Sequence, residues 1–216
     1  TPRASRDTGP DVRAQLSAAG VQQMDAVVYT PAHADHGQGK ADHRTLVLLQ
    51  KQRIDIYADD LTLHRLQDGF RYCFETPDGS FYPPILRANR IDHARAVEIA
   101  GEGGSLTFVP LLQVHGDIHS LGFRIGNFAY CPDVSDFSDA TLAKMMGLDV
   151  LVIDALQYRE HPSHLSLAQA LDFIEKIAPK RAYLTHMHIP LDYETVRKET
   201  PDHVEPGYDG LVIECP

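Results

Sequence analysis

The chain has 216 residues, 43% apolar and 23% charged, which is enough for one full core and ordinary for a soluble globular protein. Its formal charge of −10 argues against general binding to nucleic-acid backbones. No apolar run approaches the roughly 18 residues of a membrane span, and no secretory hydrophobic segment opens the chain.

The N-terminus, Thr1 to Asp11, is polar and lacks a starting Met, as a processed or partial product would. Residues 10–19 predict a helix opened by Pro10 and closed by Gly20. A buried strand is expected at 26–30, a helix at 40–50, a short strand at 54–57 and a second short helix at 59–66. Residues 69–92 are rich in Gly, Pro and aromatic side chains, and are expected to form a cap or dimer insertion within a single domain spanning 1–216. Strands are expected at 106–114, 121–125 and 128–131, followed by a helix at 136–146. Val150-Leu151-Val152-Ile153 reads as a strand buried on both faces. Residues 166–177 form an amphipathic helix with Leu167, Ala170, Leu171 and Ile174 on one stripe. A strand at 181–185, a helix at 193–199 and a last strand at 211–213 complete the series. Alternation of this kind predicts an α/β protein whose sheets are covered by helices.

Cysteines 73, 131 and 215 are too few and too scattered for a disulfide framework, which points to a reducing, cytoplasmic setting. The histidines are the more informative residues. Within four residues after the first apolar strand come His33, Asp35 and His36, a carboxylate flanked by imidazoles that can gather around a divalent cation. Water on such a cation is a ready nucleophile. Other strand ends carry His115, Asp133 and His186, and strand ends are where layered α/β proteins usually hold ligands.

The order H-x-D-H (33–36), V-H-G (114–116), C-P-D-V-S (131–135) and L-T-H-M-H (184–188) resembles the metallo-β-lactamase superfamily. It is most similar to the subgroup containing the phosphoribosyl cyclic phosphodiesterase of phosphonate catabolism. Asp7-Thr8-Gly9-Pro10-Asp11, His161-Pro162-Ser163-His164-Leu165-Ser166 and Leu191-Asp192-Tyr193-Glu194 resemble it too, so the likeness covers nearly the whole chain. It implies an α/β (α+β) fold, the four-layer αββα sandwich. Family members begin with a glycine-rich loop and two or three strands ahead of the D-T-G-P-D segment, so the likeness also implies a first sheet lacking those N-terminal strands.

The resemblance further implies two divalent metal ions, zinc or manganese. One would take His33 and His115. The other would take Asp35, His36 and His186, with Asp133 bridging the pair. Pro31 stands where the family pattern has its first histidine, and proline has no side-chain donor. Water, His43 or His188 are the alternatives for that place. Loss of one ligand would weaken the first site by several kcal/mol, complete structural zinc sites being worth roughly 10–16 kcal/mol.

The implied activity is a metal-dependent phosphodiesterase acting on cyclic phosphate or nucleotide substrates with a metal-bound hydroxide. Asp35 would orient the nucleophile, and His164 would assist the leaving oxygen or hold a phosphoryl oxygen. Small phosphodiesters and a second copy of the chain are the expected partners, and membranes and extended nucleic acid are not. Two alternatives stand beside this reading. One is thioester or lactone hydrolysis on the same fold. The other is a degenerate, non-catalytic homologue, on the ground of Pro31.

Overall fold

The computed structural model describes residues 2–30 and 33–215. The chain divides into two compact units, Thr1–Thr107 and Phe108–Pro216. Pro31, and with it the ligand position expected to be vacant, lies outside the described residues.

The first unit opens with β1 (Ala4–Arg6), a strand the sequence reading did not assign, followed by α1 (Val12–Ala18) and β2 (Ala26–Val28). After β2 come a single helical turn, α2 (Ala34–Gly37), a 3-10 stretch over Gln38–His43, and α3 (Arg44–Gln50). Then follow β3 (Ile54–Ala58), α4 (Asp60–Phe74), β4 (Leu86–Arg90) and β5 (Val97–Gly101). The sheet order is β1-β2-β3-β4 with every pair parallel, so each connection must cross over, and the helices are those crossovers. Ile54, Ile56 and Ala58 alternate inward from β3 and join Val27, Tyr29, Leu66, Cys73 and Leu86 in one core. Burying each large aliphatic side chain there contributes about 1.5–3 kcal/mol.

Two boundaries differ from expectation. Helix α4 does not stop at residue 66 but runs past Gly69 to Phe74, leaving helical geometry only at Phe70 (φ −141°, ψ 41°). Burial of Cys73, with Phe70 and Phe74 packed on the core, outweighs the cost of about 1 kcal/mol for a glycine inside a helix. Leu86–Arg90, placed by the sequence reading inside an insertion, is instead a sheet strand, because buried Ile85 and Leu86 carry it against β3. The irregular stretch is thus confined to 75–85, where Phe81 and Tyr82 are exposed.

Strand β6 (Gly104–His115) begins beside β5 and runs on into the second unit. There it is followed by β7 (Ile118–Ile125), β8 (Phe128–Cys131), the short β9 (Asp136–Phe137) and α5 (Asp139–Lys144). Next come β10 (Val150–Asp154), α6 (Leu167–Ile177), β11 (Arg181–Thr185), α7 (Tyr193–Glu199) and β12 (Val204–Pro206). Strands β6, β7 and β8 form an antiparallel meander, and β10, β11 and β12 extend it in parallel from β8. All of β10 is buried, as its unbroken apolar run predicts. Ser166 caps α6 through a reciprocal box with Gln169, and Leu167, Ala170, Ile174 and Ile177 face the core.

Residues 211–213 are not a strand. The edge of β11 is already taken by β12, so Leu211 and Ile213 pack, half-buried, against Val150, Val152 and Tyr183 without joining the sheet. Likewise α5 starts later than expected. Asp136–Phe137 pairs with β6, and Ser138 then caps the helix by accepting the Thr141 N–H at 3.2 Å. Among the described residues no helix is long and apolar enough to cross a membrane.

Candidate metal centre

In the second unit the sequence-named residues stand at strand ends. His115 is the last residue of β6, Asp133 lies just beyond β8, and His186 directly follows β11. Asp133 and His186 both adopt left-handed backbone angles, φ 46° and 62°. Each costs on the order of 1–3 kcal/mol in a residue other than glycine, and such strain persists only where the surroundings over-determine it. Around Asp133 they do. Ser120 Oγ donates to its carbonyl at 2.7 Å, and the next residue, Val134, donates its N–H to Asp154 Oδ2 at 3.1 Å.

His115 is buried and donates from Nδ1 to the carbonyl of Ser163 at 2.6 Å. Gly116 makes that approach possible: its φ is 60°, and an added Cβ would sit 3.1 Å from the Ser163 side chain. His164 donates from Nδ1 to Asp154 Oδ2 at 2.7 Å. Its ring stacks on His186 (4.8 Å between centroids, 12° between planes) and meets His115 edge-on at 4.7 Å. His186 Nε2 is 3.5 Å from Asp133 Oδ1. Asp133, His164 and His186 offer ligand atoms within 4.8 Å of one another.

In the first unit, Asp7 follows β1 in a left-handed conformation (φ 58°). Its Oδ1 accepts the Thr30 N–H at 2.9 Å, and its Oδ2 accepts the Thr30 hydroxyl at 2.7 Å and His36 Nδ1–H at 3.0 Å. His36 is buried, Asp35 is exposed and His33 is half-buried. Asp35 Oδ2 lies 3.3 Å from His36 Nε2, and the His33 and His36 ring centroids are 6.4 Å apart. Gly9 lets this turn close, since a Cβ there would come within 2.7 Å of the Asp35 carbonyl. Behind it sits Lys40, 3% exposed, its ammonium 3.5 Å above the Phe70 ring and donating to the Gly37 carbonyl. Desolvation pushes the Lys40 pKa down to about 8. His43, also lowered by burial, donates from Nδ1 to the Lys40 carbonyl at 3.2 Å, and His188 is exposed.

These residues suit a divalent cation. Imidazole nitrogen and carboxylate oxygen are the donors zinc and manganese take. In His36, His115 and His164 the Nδ1–H is engaged by a carboxylate or a carbonyl, which fixes Nε2 as the outward nitrogen. Metal-ligating histidines are held in this way. The sequence reading assigned no role to Asp7 or Asp154, which do that holding. The signal for Asp154 was present: a carboxylate closing a wholly apolar strand must find donors.

Residues 6–187 match the family model described as a beta-lactamase superfamily domain. The crystal structure of a diphosphatase from the PhnP family is 32% identical at a TM-score of 0.89, covering 99% of this chain and 80% of that one. Zn(2+)-bound PqqB from Methylobacterium extorquens shares the fold at 17% identity and a TM-score of 0.75, over 97% of this chain and 82% of that one. An octanoyltransferase of Porphyromonas gingivalis (strain ATCC BAA-308 / W83) is 33% identical over 210 residues, 95% of this chain and 41% of that protein. The chain therefore spans about two fifths of the length of the curated relative it matches. The order of ligand-type residues along the strands, the two-sheet α/β architecture and these matches agree: the chain belongs to the metallo-β-lactamase superfamily, on its PhnP-like branch.

Proposed function

We propose that this chain is a metal-dependent hydrolase that cleaves phosphodiester bonds in small substrates, cyclic phosphates or nucleotides. The observation that carries the reading is the state of the histidines. Three imidazoles have Nδ1 tied back to an acceptor, two of them, His36 and His115, at proposed ligand positions, and His186 Nε2 stands 3.5 Å from Asp133 Oδ1. The diphosphatase relative, 32% identical and covered over 80% of its length, supports phosphoryl chemistry, whereas the octanoyltransferase is matched over only 41% of its length. The proposed ligands are those named from the sequence: His33 and His115 for one ion, Asp35, His36 and His186 for the other, and Asp133 for both.

When bound, the two ions would supply Lewis acidity toward a phosphoryl oxygen and lower the pKa of water. The protein's own residues do the rest. Asp35 holds and orients the attacking water. His164, with Nδ1 committed to Asp154, meets a substrate oxygen through Nε2, either as a hydrogen-bond donor to phosphate or as the proton source for the leaving oxygen. A homodimer through the exposed aromatics of 75–85 belongs to the same proposal.

The test strips the protein with a chelator, reloads it with Mn2+ or Zn2+, and follows bis(p-nitrophenyl) phosphate, a 2′,3′-cyclic nucleotide and an acyl thioester in parallel. Diester cleavage is expected to vanish on chelation and return on reloading. Diester turnover indifferent to the chelator refutes the proposal, and metal-dependent turnover of the thioester alone moves the assignment to acyl hydrolysis.

A further inference from the structure

Leu111, Gln113 and His115 alternate along β6 onto one face, and all three are buried. Leu111 packs there with Cys131, Val134 and Phe137, so an apolar side chain is the ordinary occupant of position 113. Gln113 is instead a wholly buried amide, and its Oε1 has no hydrogen-bond partner among the described residues. An unmet acceptor in the core costs stability, so the role of this side chain lies in its nitrogen. Nε2 donates to the Pro132 carbonyl at 2.5 Å and to Ser120 Oγ at 3.1 Å. A carbonyl only accepts, which fixes nitrogen rather than oxygen on that side. Ser120, directly opposite on β7, gives its own proton to the Asp133 carbonyl at 2.7 Å. Two consecutive carbonyls are thus held by one amide, the first directly and the second through a hydroxyl. Gly122 makes the room, since an added Cβ there would collide with Gln113 Oε1. Beyond Asp133 the same turn is fastened to the same strand again: Ser135 donates its N–H to the Val114 carbonyl at 2.8 Å, and Gly116 donates its N–H to Ser135 Oγ at 3.3 Å. The turn that carries Asp133 is therefore joined, on both sides of it, to the strand that ends in His115.

We propose that Gln113 is a positioning residue for the metal centre: its amide, with the Ser120 hydroxyl as relay, fixes the Pro132–Asp133 turn on β6 and so sets the place of the Asp133 carboxylate relative to His115. This rests on the metal-binding part of the proposed function and not on the choice of substrate. Asp133 is the ligand given to both ions, so a slack turn weakens both. Methionine matches the length of glutamine, removes the orphaned acceptor and supplies no donor, which makes it the variant that takes away the hold and keeps the volume.

Two measurements on the intact protein test this: Zn2+ affinity for both equivalents, by competition against a coloured chelator, and backbone amide hydrogen exchange without metal. Gln113→Met is expected to bind both equivalents about 10–100-fold more weakly than the wild type, the range seen when residues that orient metal ligands are removed. Ser120→Ala, which breaks only the relay, is expected to lose about 3–10-fold, the worth of one hydrogen bond. Together the two changes should cost less than the product of their separate losses, because they act on one network. In metal-free Gln113→Met the Val134 and Ser135 amides should exchange at least about 10-fold faster, while Leu151 and Tyr183, in the β10–β11 ladder, exchange as in the wild type. That contrast separates a loosened turn from a protein that is merely less stable. Affinities within about twofold of the wild type in Gln113→Met overturn the proposal. So does a loss confined to one equivalent, or faster exchange shared equally by the ladder. If Gln113→Met fails to fold, Ser120→Ala decides by the same affinities and the same amides. A wild type that binds no cation, with exchange at Val134 and Ser135 faster in Gln113→Met, supports the hold on the turn while the metal-dependent reading falls.

Discussion

Replacing Lys40 by methionine should make the protein more stable at neutral pH, although it removes a cation–π contact and a hydrogen bond. Methionine keeps the length of the aliphatic stem and loses the charge. Lys40 as a whole is 3% exposed, and burial lowers its pKa from 10.5 to about 8. A lowered lysine pKa means that the folded chain binds fewer protons than the unfolded chain between those two values. Stability therefore rises with pH across the window, and the cost of the buried charge is complete below about pH 8. At about 1.4 kcal/mol per unit, a shift of that size corresponds to roughly 3 kcal/mol near pH 7 and less than about 1 kcal/mol near pH 10. The Phe70 contact returns about 1–2 kcal/mol of this to the wild type, so the net gain for Lys40→Met at pH 7 is about 1–2 kcal/mol. Urea unfolding of the metal-free proteins, followed by circular dichroism at pH 7, 8, 9 and 10, measures the gap between variant and wild type. The gap should close as pH rises. A gap independent of pH, or a variant less stable at pH 7, would refute the assignment of Lys40 as a buried, desolvated charge.

Two further outcomes bear on the candidate ligands. Asp7→Ala removes the acceptor of His36 Nδ1 and of both Thr30 donors. Cation affinity, read by competition against a coloured chelator, should fall about 10–100-fold, and an unchanged affinity would show that His36 needs no such support. Pro31→His restores the donor that the family pattern has at that position; metal content after dialysis should rise, and equal content and equal rate in variant and parent would show that the proline costs nothing.

The residues most open to sequence reading are those whose behaviour is set by their neighbours in the chain. The β10 run, the α6 stripe with its Ser166–Gln169 box, and the placing of His115, Asp133 and His186 at strand ends are such cases, because periodicity and capping are local. Resemblance added the candidate ligand set. Three features were closed to it. Lys40 reads as an ordinary polar position at the start of a helix, and only the packing of Phe70 over it makes it a buried charge. Leu211 and Ile213 have the composition of a strand, but whether they pair depends on which segment reaches the β11 edge, and β12 holds it. Asp7 is a plain carboxylate in the sequence, and the place of Asp154 at the end of an apolar strand calls for donors without naming them; the two become holders of His36 and His164 only when the fold brings donor and acceptor within 3.0 Å and 2.7 Å. Local order in a chain sets backbone preference and the pattern of apolar faces. The partner a buried polar group finds, and the cost of burying it, depend on residues distant in sequence that only folding brings near.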